Sequence, residues 1–278
     1  MTSTTAGFGP RSIERGSGGG PIPVYADGML IISDVHGASE ALRIVASMGE
    51  PLLILGDLIN YIDYRSNEGI VADVSGRELV DEFVRIRGAE GHEAASEMWH
   101  RHWKGHEAEL SERYRTVTEA AYREVCDALR GCEAYVTYGN VDRPKMLADN
   151  LPEGARFVDG EVVVIDGIRV GFAGGGMTRI DTPGEISESE MAAKLASLGP
   201  VDILATHVPP AVPSLACDVI GGREKGSVAI LDYIERTQPP FHYFGDIHQP
   251  RATTWRIGST MCVNTGYFRA TGRATRHG

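Results

Sequence analysis

Cysteine is scarce in this sequence, and its spacing excludes several classes of protein. The 278 residues include four cysteines, Cys126, Cys132, Cys217 and Cys262, and no two of them form a Cys-x-x-Cys pair. Small disulfide-stapled secreted folds and thiolate zinc sites depend on closely spaced or paired cysteines. We therefore expect four unpaired, buried thiols in a reducing compartment, which we take to be the cytoplasm.

Long apolar runs are also missing. The longest have the length of a β-strand, whereas a membrane-spanning helix needs about 20 consecutive apolar residues. The segment Met1–Gly20 is rich in Ser, Thr and Gly and lacks the apolar core of a signal peptide. The sequence thus predicts no membrane association. It also predicts a disordered tail over residues 1–22, followed by one domain over residues 23–278.

An excess of positive charge is absent as well. The 27 Lys and Arg residues against 38 Asp and Glu residues give a formal net charge of −11. Broad electrostatic capture of nucleic acid needs a basic surface, so this composition argues against nucleic acid as a partner and against a nuclease. A small substrate that carries phosphate stays compatible with it, because bound cations can reverse the local field.

Two short apolar segments near the beginning of the domain lead into residues that can bind metal. Leu30–Ser33 is followed by Asp34-Val35-His36, and Pro51–Gly56 is followed by Asp57. A helix from an N-cap at Ser39 to a stop at Gly49 is predicted between them. This strand–helix–strand order is typical of a parallel α/β sheet, in which ligands bind at the carboxyl ends of the strands.

Helical periodicity dominates the segment from about residue 62 to 132. Apolar residues recur every three or four positions over Glu78–Arg87 and over Glu93–Arg130, with charges between them. We predict that this segment is a helical insertion that leaves the sheet and caps the candidate site. Trp99 and Trp103 are predicted to pack in its core, and stacking on a substrate base is the alternative.

The remaining chain predicts further strands. A hairpin is indicated by Glu161–Ile165 and Ile168–Ala173 around the turn Asp166-Gly167. Ser187 and Glu190 have the spacing of a capping box at the start of a helix that runs to Leu198. Shorter apolar segments predict strands at Ala134–Tyr138, Val201–Ala205, Phe241–Phe244, Thr253–Ile257 and Met261–Asn264, and a helix at Lys225–Thr237.

Side chains that bind divalent metals follow five of the predicted strands. In chain order they are Asp34 with His36, Asp57, Asn140, His207, and Asp246 with His248. Carboxylate, imidazole and amide oxygen are all metal ligands in proteins. A single Asp or His after a strand is usually a turn or capping residue. Five such strand ends, however, meet at one edge of a parallel sheet, so the set predicts a metal centre.

The motifs that carry these residues resemble those of the calcineurin-like metallophosphoesterase family. They are Asp34-x-His36, Gly56-Asp57, Gly139-Asn140-x-Asp142, Thr206-His207 and Gly245-x-x-His248, and the strands that carry them cover residues 29 to 266. The resemblance implies an α/β fold, a four-layer α/β/β/α sandwich, to which the helical insertion is added. It also implies a hydrolase that acts on phosphoesters.

The resemblance further implies two divalent metal ions. One would be bound by Asp34, His36 and His248, the other by Asn140, His207 and Asp246, with Asp57 as the bridge. Two such ions about 3.5–4 Å apart can hold a hydroxide, lower its pKa and clamp a phosphoryl group for in-line attack. Asp57 and Asn140 are then the catalytic residues. Mn²⁺ is the expected metal, with Fe, Zn²⁺ or Mg²⁺ as alternatives.

Substrate contact is expected from two residues of the Asn140 motif. Asn140 is placed to contact the substrate as well as a metal, and Arg143 could pair bidentately with its phosphate. For Arg143, an ion pair with Asp142 or another local acid is the alternative. The expected substrate is a small phosphoester.

Two positions depart from the family's motifs. Val141 stands where many members have a histidine that helps to protonate the leaving group, and valine cannot transfer a proton. This favours a substrate with a good leaving group, or assistance from another residue or from water. Asp246 stands where a ligating histidine is common, and aspartate can still bind a hard ion such as Mn²⁺ or Mg²⁺. The alternative is that Asp246 has the wrong reach and that the second metal is weakly held or absent.

Two hypotheses about function follow. The first is a metal-dependent phosphoesterase that hydrolyses a small phosphodiester or an activated phosphomonoester through a metal-bridging hydroxide. The second is a catalytically weak relative that keeps the fold as a binding or regulatory module, which Val141 and Asp246 would favour. The presence of every other ligand-type residue argues for the first.

Overall fold

The structure, a computed structural model, describes residues 28–63, 66–179, 182–219 and 224–278. The predicted tail over residues 1–22 lies outside the described residues. The strands are β1 (Met29–Ile32), β2 (Leu52–Ile54), β3 (Ala134–Val136), β4 (Ala155–Phe157), β5 (Glu161–Ile165), β6 (Ile168–Ala173), β7 (Gly176–Met177), β8 (Glu185–Ile186), β9 (Ile203–Thr206), β10 (Phe241–Phe244), β11 (Thr254–Ile257), β12 (Thr260–Asn264) and β13 (Thr275–His277). The helices are α1 (Ser39–Ala46), α2 (Ile70–Ser75), α3 (Arg77–Ala89), α4 (His92–Trp103), α5 (Glu107–Asp127), α6 (Pro144–Asn150), α7 (Glu188–Leu198), α8 (Pro213–Ala216), α9 (Val228–Thr237) and α10 (Phe268–Thr271).

The protein has a mixed α/β fold in which most strand pairs are parallel. One sheet has the order β13-β1-β2-β3-β4, and only β13 runs antiparallel to its neighbour. A second sheet has the order β11-β12-β10-β9-β6-β5, with antiparallel pairs at its two edges. The short strands β7 and β8 pair separately. The predicted α/β class is confirmed.

The central strands are buried on both faces, as expected for parallel sheets covered on each side. In β1, Met29 and Ile31 belong to one apolar cluster, whereas Leu30 and Ile32 belong to another. The cluster of Met29 and Ile31 also contains side chains of the second sheet, including Phe172. The ring of Tyr135 in β3 stacks on that of Phe172 in β6, with 6.5 Å between their centroids. The two sheets therefore share a core.

The outer faces of the sheets pack against helices. Leu30 and Ile32 share their cluster with Leu42 of α1 and with Tyr122 and Val125 of α5. On the second sheet, Leu204 and Phe244 pack with Met191 and Leu195 of α7 and with Ile230 of α9. In the described part of the chain, none of the helices combines the length and the apolar character that crossing a membrane requires. The four cysteines are buried free thiols, as predicted.

The described residues between β2 and β3 contain four helices, α2 to α5. The helical periodicity found over Glu93–Arg130 is divided between two helices, because α4 ends at Trp103 and α5 begins at Glu107. The break contains Gly105, whose φ of 87° is incompatible with a right-handed helix. Trp103 packs against Tyr114 across this break, with 5.4 Å between the ring centroids. The role of this helical insertion as a cap over the site stays a prediction.

Local sequence signals predict some boundaries of helices and strands correctly and others incorrectly. The hairpin β5–β6 has the predicted residues, and α7 begins with the predicted capping box of Ser187 and Glu190. Ser39, however, does not cap α1. Its hydroxyl donates to Glu124 instead, and α1 ends at Ala46, before the predicted stop at Gly49. The Ser39 hydroxyl thus forms a long-range hydrogen bond with Glu124 in place of the predicted local capping bond.

The shared core between the sheets predicts a strong dependence on Phe172, which has 0% exposure. Phe172→Ala should lower the free energy of unfolding by about 3–5 kcal/mol, because it leaves a cavity between the sheets. Val164 in the same hairpin is 59% exposed, so Val164→Ala should change that free energy by only about 0.5 kcal/mol. Equal losses in urea unfolding would contradict the shared core.

His242 in β10 is a buried neutral histidine. Its Nε2 lies 2.8 Å from the hydroxyl of Thr206, which itself donates to the Val208 carbonyl, so the imidazole is the donor. Burial lowers the pKa of His242 to about 3. The unfolded chain binds this proton near pH 6.5 and the folded chain does not, so the resulting stability is present above pH 6.5 and is lost as the pH falls towards 3.

His242→Gln should therefore flatten the acid side of the stability profile. The slope of the unfolding free energy against pH should decrease by at most about 1.4 kcal/mol per pH unit, the value for one proton. Urea unfolding at pH values of about 7, 5.5 and 4.5 with a chelator present measures it. An unchanged slope would show that His242 is protonated in the folded protein.

Candidate metal centre

The residues singled out at the strand ends come together in the structure. They lie in the segments that follow the carboxyl ends of β1, β2, β3, β9 and β10. Four of them, Asp34, His36, Asp57 and Asp246, have positive φ values of 59°, 43°, 55° and 61°. Such backbone conformations are uncommon for residues other than glycine and concentrate at functional sites. The turns thus bring these four side chains together at the cost of an unfavourable backbone conformation at each residue.

Glycines beside these residues permit the close approach of the turns. A Cβ atom at Gly139 would collide with the Asp57 carboxylate, and one at Gly245 would collide with Ser33 Oγ and Asp34 Oδ2. Lack of space for a Cβ atom therefore explains why glycine occupies these positions in the Gly139-Asn140 and Gly245-Asp246 motifs. They leave room for the two carboxylates at the centre of the site.

One group of potential ligands consists of Asp34, His36 and His248, which offer donor atoms within 4.8 Å of one another. His248 Nε2 lies 3.2 Å from Asp34 Oδ1. His36 Nε2 lies 3.7 Å from Asp34 Oδ1 and 3.6 Å from Asp57 Oδ2. These three residues are the set predicted for one metal.

A second group consists of Asp34, Asp57 and His207. His207 Nδ1 lies 2.9 Å from the Leu55 carbonyl oxygen, which can only accept, so the proton is on Nδ1. His207 Nε2 then faces Asp57 Oδ1 at 3.5 Å and Asn140 Oδ1 at 3.3 Å. In its neutral form, His207 thus presents the Nε2 lone pair beside two oxygen ligands, with its ring orientation fixed by a backbone carbonyl.

His36 Nε2 provides a test of whether a metal fits. This atom is buried and has no hydrogen-bond partner in the described part of the chain. Its distances to the two nearest carboxylates exceed those of hydrogen bonds. A buried polar atom without a partner is costly, and a cation between His36 and the carboxylates would satisfy it. The donor set therefore fits a divalent metal.

The charges of the site attract positive groups despite burial. Burial alone would raise the pKa of Asp34, but the imidazoles of His248 and His36 hold that pKa well below its usual range. Burial alone would lower the pKa of His36, but the carboxylates of Asp34 and Asp57 raise it. The pKa of His207 is raised against burial by Asp57 and then Asp34. The acids therefore outweigh the cost of burying a cation.

Asp142 holds two of the turns together, a role that sequence reasoning did not assign. Its fully buried carboxylate accepts hydrogen bonds from the backbone N–H groups of Asp57, Leu58 and Gly139 and from the Tyr122 hydroxyl. Burial and then the charge of Asp57 raise the pKa of Asp142 to about 6. Asp142 thus positions Asp57 relative to the Asn140 turn.

The remaining residues of the Asn140 motif lie at the site. The Val141 N–H donates to Asp57 Oδ1 at 3.1 Å, so this position contributes through its backbone. The Arg143 N–H donates to the Tyr122 hydroxyl, and among the described ion pairs there is none between Arg143 and Asp142. Contact of Arg143 with substrate stays a prediction.

Asp246 is at the site but has a different partner. Its N–H donates to Asp34 Oδ2 at 3.1 Å, and its Oδ1 lies 2.6 Å from Lys225 Nζ. It is not in either group of potential metal ligands in the described chain. Burial would lower the pKa of Lys225, but Asp246 raises it. Ligation of a metal by Asp246 stays a prediction, and Lys225 is a site residue that the sequence did not reveal.

Two residues after β12 also reach the site. The Tyr267 ring stacks on the His248 ring, with 3.9 Å between centroids and 11° between planes. The Arg269 N–H donates to the Asp34 carbonyl oxygen, and its guanidinium donates to the His36 carbonyl oxygen. They hold two predicted ligands and the Asp34 turn in position. No motif in the sequence indicated them.

Comparison with known proteins bears on the fold alone. No protein-family model and no curated protein matches the chain. One crystal structure aligns with a TM-score of 0.52 at 15% identity, over 90% of this chain and 98% of the other. The crystal structure of TT1561 from Thermus thermophilus aligns with a TM-score of 0.49 at 13% identity, again over 90% and 98%. The first alignment shows a similar overall fold.

The crowding at Gly245 predicts a specific defect. Gly245→Ala places a methyl group against Ser33 and Asp34, so Asp34 must move and Mn²⁺ affinity should decrease by about tenfold or more. Gly88→Ala is the matched control, because its added methyl group meets no atom within 4 Å. Calorimetric titration with Mn²⁺ measures both. Wild-type affinity in Gly245→Ala would show that the close approach is unimportant.

Proposed function

We propose that this protein is a metal-dependent phosphoesterase with a dinuclear centre, similar to the calcineurin-like metallophosphoesterases. The observation that carries the proposal is the pair of overlapping ligand groups that share Asp34, the first of which contains the unpartnered Nε2 of His36. A purely structural role does not require buried acids and histidines at five strand ends. Replacing such groups by apolar residues is commonly neutral or stabilising.

One proposed site matches the first ligand group: Asp34, His36 and His248 would hold one metal. Asn140, His207 and Asp246 would hold the other, and of these the second group contains His207. The carboxylate of Asp57 supports its role as the bridge, because Oδ2 lies 3.6 Å from His36 Nε2 and Oδ1 lies 3.5 Å from His207 Nε2. Mixed oxygen and imidazole donors suit Mn²⁺, with Fe, Zn²⁺ and Mg²⁺ as alternatives.

Bound metals would supply Lewis-acid activation of water and charge neutralisation at a phosphoryl group. The chain's own residues supply the positioning. Asp142 fixes the turn of Asp57, and the Leu55 carbonyl oxygen fixes the His207 ring. Asn140 and Arg143 are proposed to orient the substrate phosphate. Because the side chain of Val141 cannot donate a proton, the preferred substrate is a small phosphodiester or an activated phosphomonoester.

We also propose that the layers form the four-layer α/β/β/α sandwich of that family. The shared core around Phe172 and Tyr135, with helices α1 and α5 outside one sheet and α7 and α9 outside the other, supports this arrangement. The proposed partner is a small phosphoester rather than nucleic acid, since the net charge is −11. The proposed location is the cytoplasm.

A second candidate function is a binding or regulatory module with weak or no catalysis. The ion pair between Asp246 and Lys225 favours it, because it engages a residue that the second metal would need. Under this hypothesis, a metal binds to Asp34, His36 and His248, but the protein does not hydrolyse a substrate. The two candidates therefore differ in activity and agree in metal binding.

The test combines metal binding with hydrolysis of chromogenic substrates. With added Mn²⁺, the wild-type protein should hydrolyse bis(p-nitrophenyl) phosphate. Asp34→Asn should bind Mn²⁺ more weakly and lower kcat/KM by at least about 100-fold, because Asp34 belongs to both groups. The control is Asp149→Asn, an exposed acid that pairs with Lys145 at 2.7 Å. It should behave like the wild type.

Three outcomes decide between the candidates. Mn²⁺-dependent turnover that Asp34→Asn removes supports the phosphoesterase. Mn²⁺ binding without turnover of the diester or of p-nitrophenyl phosphate, under any divalent metal, supports the binding module. Absence of metal binding, with Asp34→Asn equal to the wild type, would rule out both.

A further inference from the structure

Lys225 directs its ammonium group at a predicted metal ligand. Its Nζ lies 2.6 Å from Asp246 Oδ1 and 3.4 Å from the Asp246 carbonyl oxygen. The lysine side chain is 33% exposed, whereas that of the aspartate is 6% exposed. The Asp246 carboxylate thus already has a positive partner at the position where a second metal would need it.

The backbone keeps both partners beside the centre. The Asp246 N–H is bound to Asp34 Oδ2, so Asp246 directly adjoins a residue of both ligand groups. The Lys225 N–H donates to the Ala216 carbonyl oxygen at 2.9 Å, which anchors the lysine from the other side. A short side-chain movement therefore separates the pair without displacing either backbone segment.

We propose that Lys225 competes with the second metal ion for the Asp246 carboxylate. This inference rests on the proposed dinuclear centre and specifies how its two positions differ. The position of Asp34, His36 and His248 fills first, since the ion pair that Lys225 forms among the described residues is with Asp246 and not with Asp34. The position of Asn140 and His207 gains Asp246 only when the ammonium moves away.

The chemistry of the exchange is simple. A charge-assisted hydrogen bond between ammonium and carboxylate is roughly twice as strong as a neutral one, so a metal must overcome it. The lysine keeps its proton and its charge throughout, and its exposed fraction gives the ammonium a path to water. The exchange thus needs no proton transfer and no other reactant.

The experiment titrates the metal-free full-length protein with Mn²⁺ by calorimetry and determines the bound metal by elemental analysis after dialysis. The wild type should bind one Mn²⁺ tightly and a second more weakly. Lys225→Met should tighten the second site by about 10- to 100-fold and leave the first within about threefold. Lys225→Arg keeps the cation and should keep the weak second site. Lys145→Met removes a lysine whose ion pair with Asp149 is exposed and should resemble the wild type.

A double-mutant cycle separates competition from simple loss of positive charge. If Lys225 acts by holding Asp246, Lys225→Met should tighten the second site in the wild type but not in the Asp246→Asn background. An equal gain in both backgrounds would overturn the inference, because the lysine would then act only through its charge. Thermal unfolding with a chelator verifies that each variant is folded, and Lys225→Gln replaces Lys225→Met if the latter is not.

The remaining outcomes are also decisive. If the wild type and Lys225→Met bind the same number of Mn²⁺ ions with equal affinities, the competition does not exist, and the dinuclear centre is then judged by the Asp34→Asn result alone. If neither protein binds Mn²⁺, the proposed centre is wrong and the inference falls with it. A second Mn²⁺ that appears only in Lys225→Met supports the competition most strongly.

Discussion

The burial of two carboxylates against several imidazoles is the constraint on which the rest of this structure depends. Asp34 is 1% exposed and Asp57 3% exposed, and each lies within 4 Å of two histidine nitrogens. Buried charges are costly unless they are paired. Turns with positive φ, glycines without room for a Cβ atom and the carboxylate of Asp142 all hold this arrangement in place. Strain of this kind concentrates at functional sites, and the donor set here could hold a metal ion.

Much of the fold follows from short-range patterns in the sequence. The strands that precede Asp34 and Asp57, the β5–β6 hairpin and the capping box of α7 have local signals, and all are present. The break between α4 and α5 was missed because apolar periodicity continues across it, and only the conformation of Gly105 separates the helices. The strand β13 was missed because its partner β1 is distant in sequence and its own three residues carry little pattern.

The residues of the site also divide into those that the sequence indicates and those that only the structure reveals. Residues directly after strands could be found, because parallel topology alone brings them to one edge. Lys225 and Tyr267 act through side-chain contacts that no local spacing encodes, such as the stacking of Tyr267 on His248. Asp142 belongs to the Asn140 motif, but its hydrogen bonds to the Asp57 turn join segments distant in sequence. Their roles required three-dimensional structure. They also change the interpretation, since Asp246, a ligand candidate in the sequence, forms an ion pair with Lys225 in the structure.

Anomalous diffraction from crystals grown with Mn²⁺ tests the central claim most directly. The account predicts a strong peak bounded by Asp34, His36 and His248, and a weaker one about 3.5–4 Å away beside Asp57 and His207. The weaker peak should be the one near Lys225. Absence of both peaks at saturating Mn²⁺, or peaks only at exposed acids elsewhere, would contradict it.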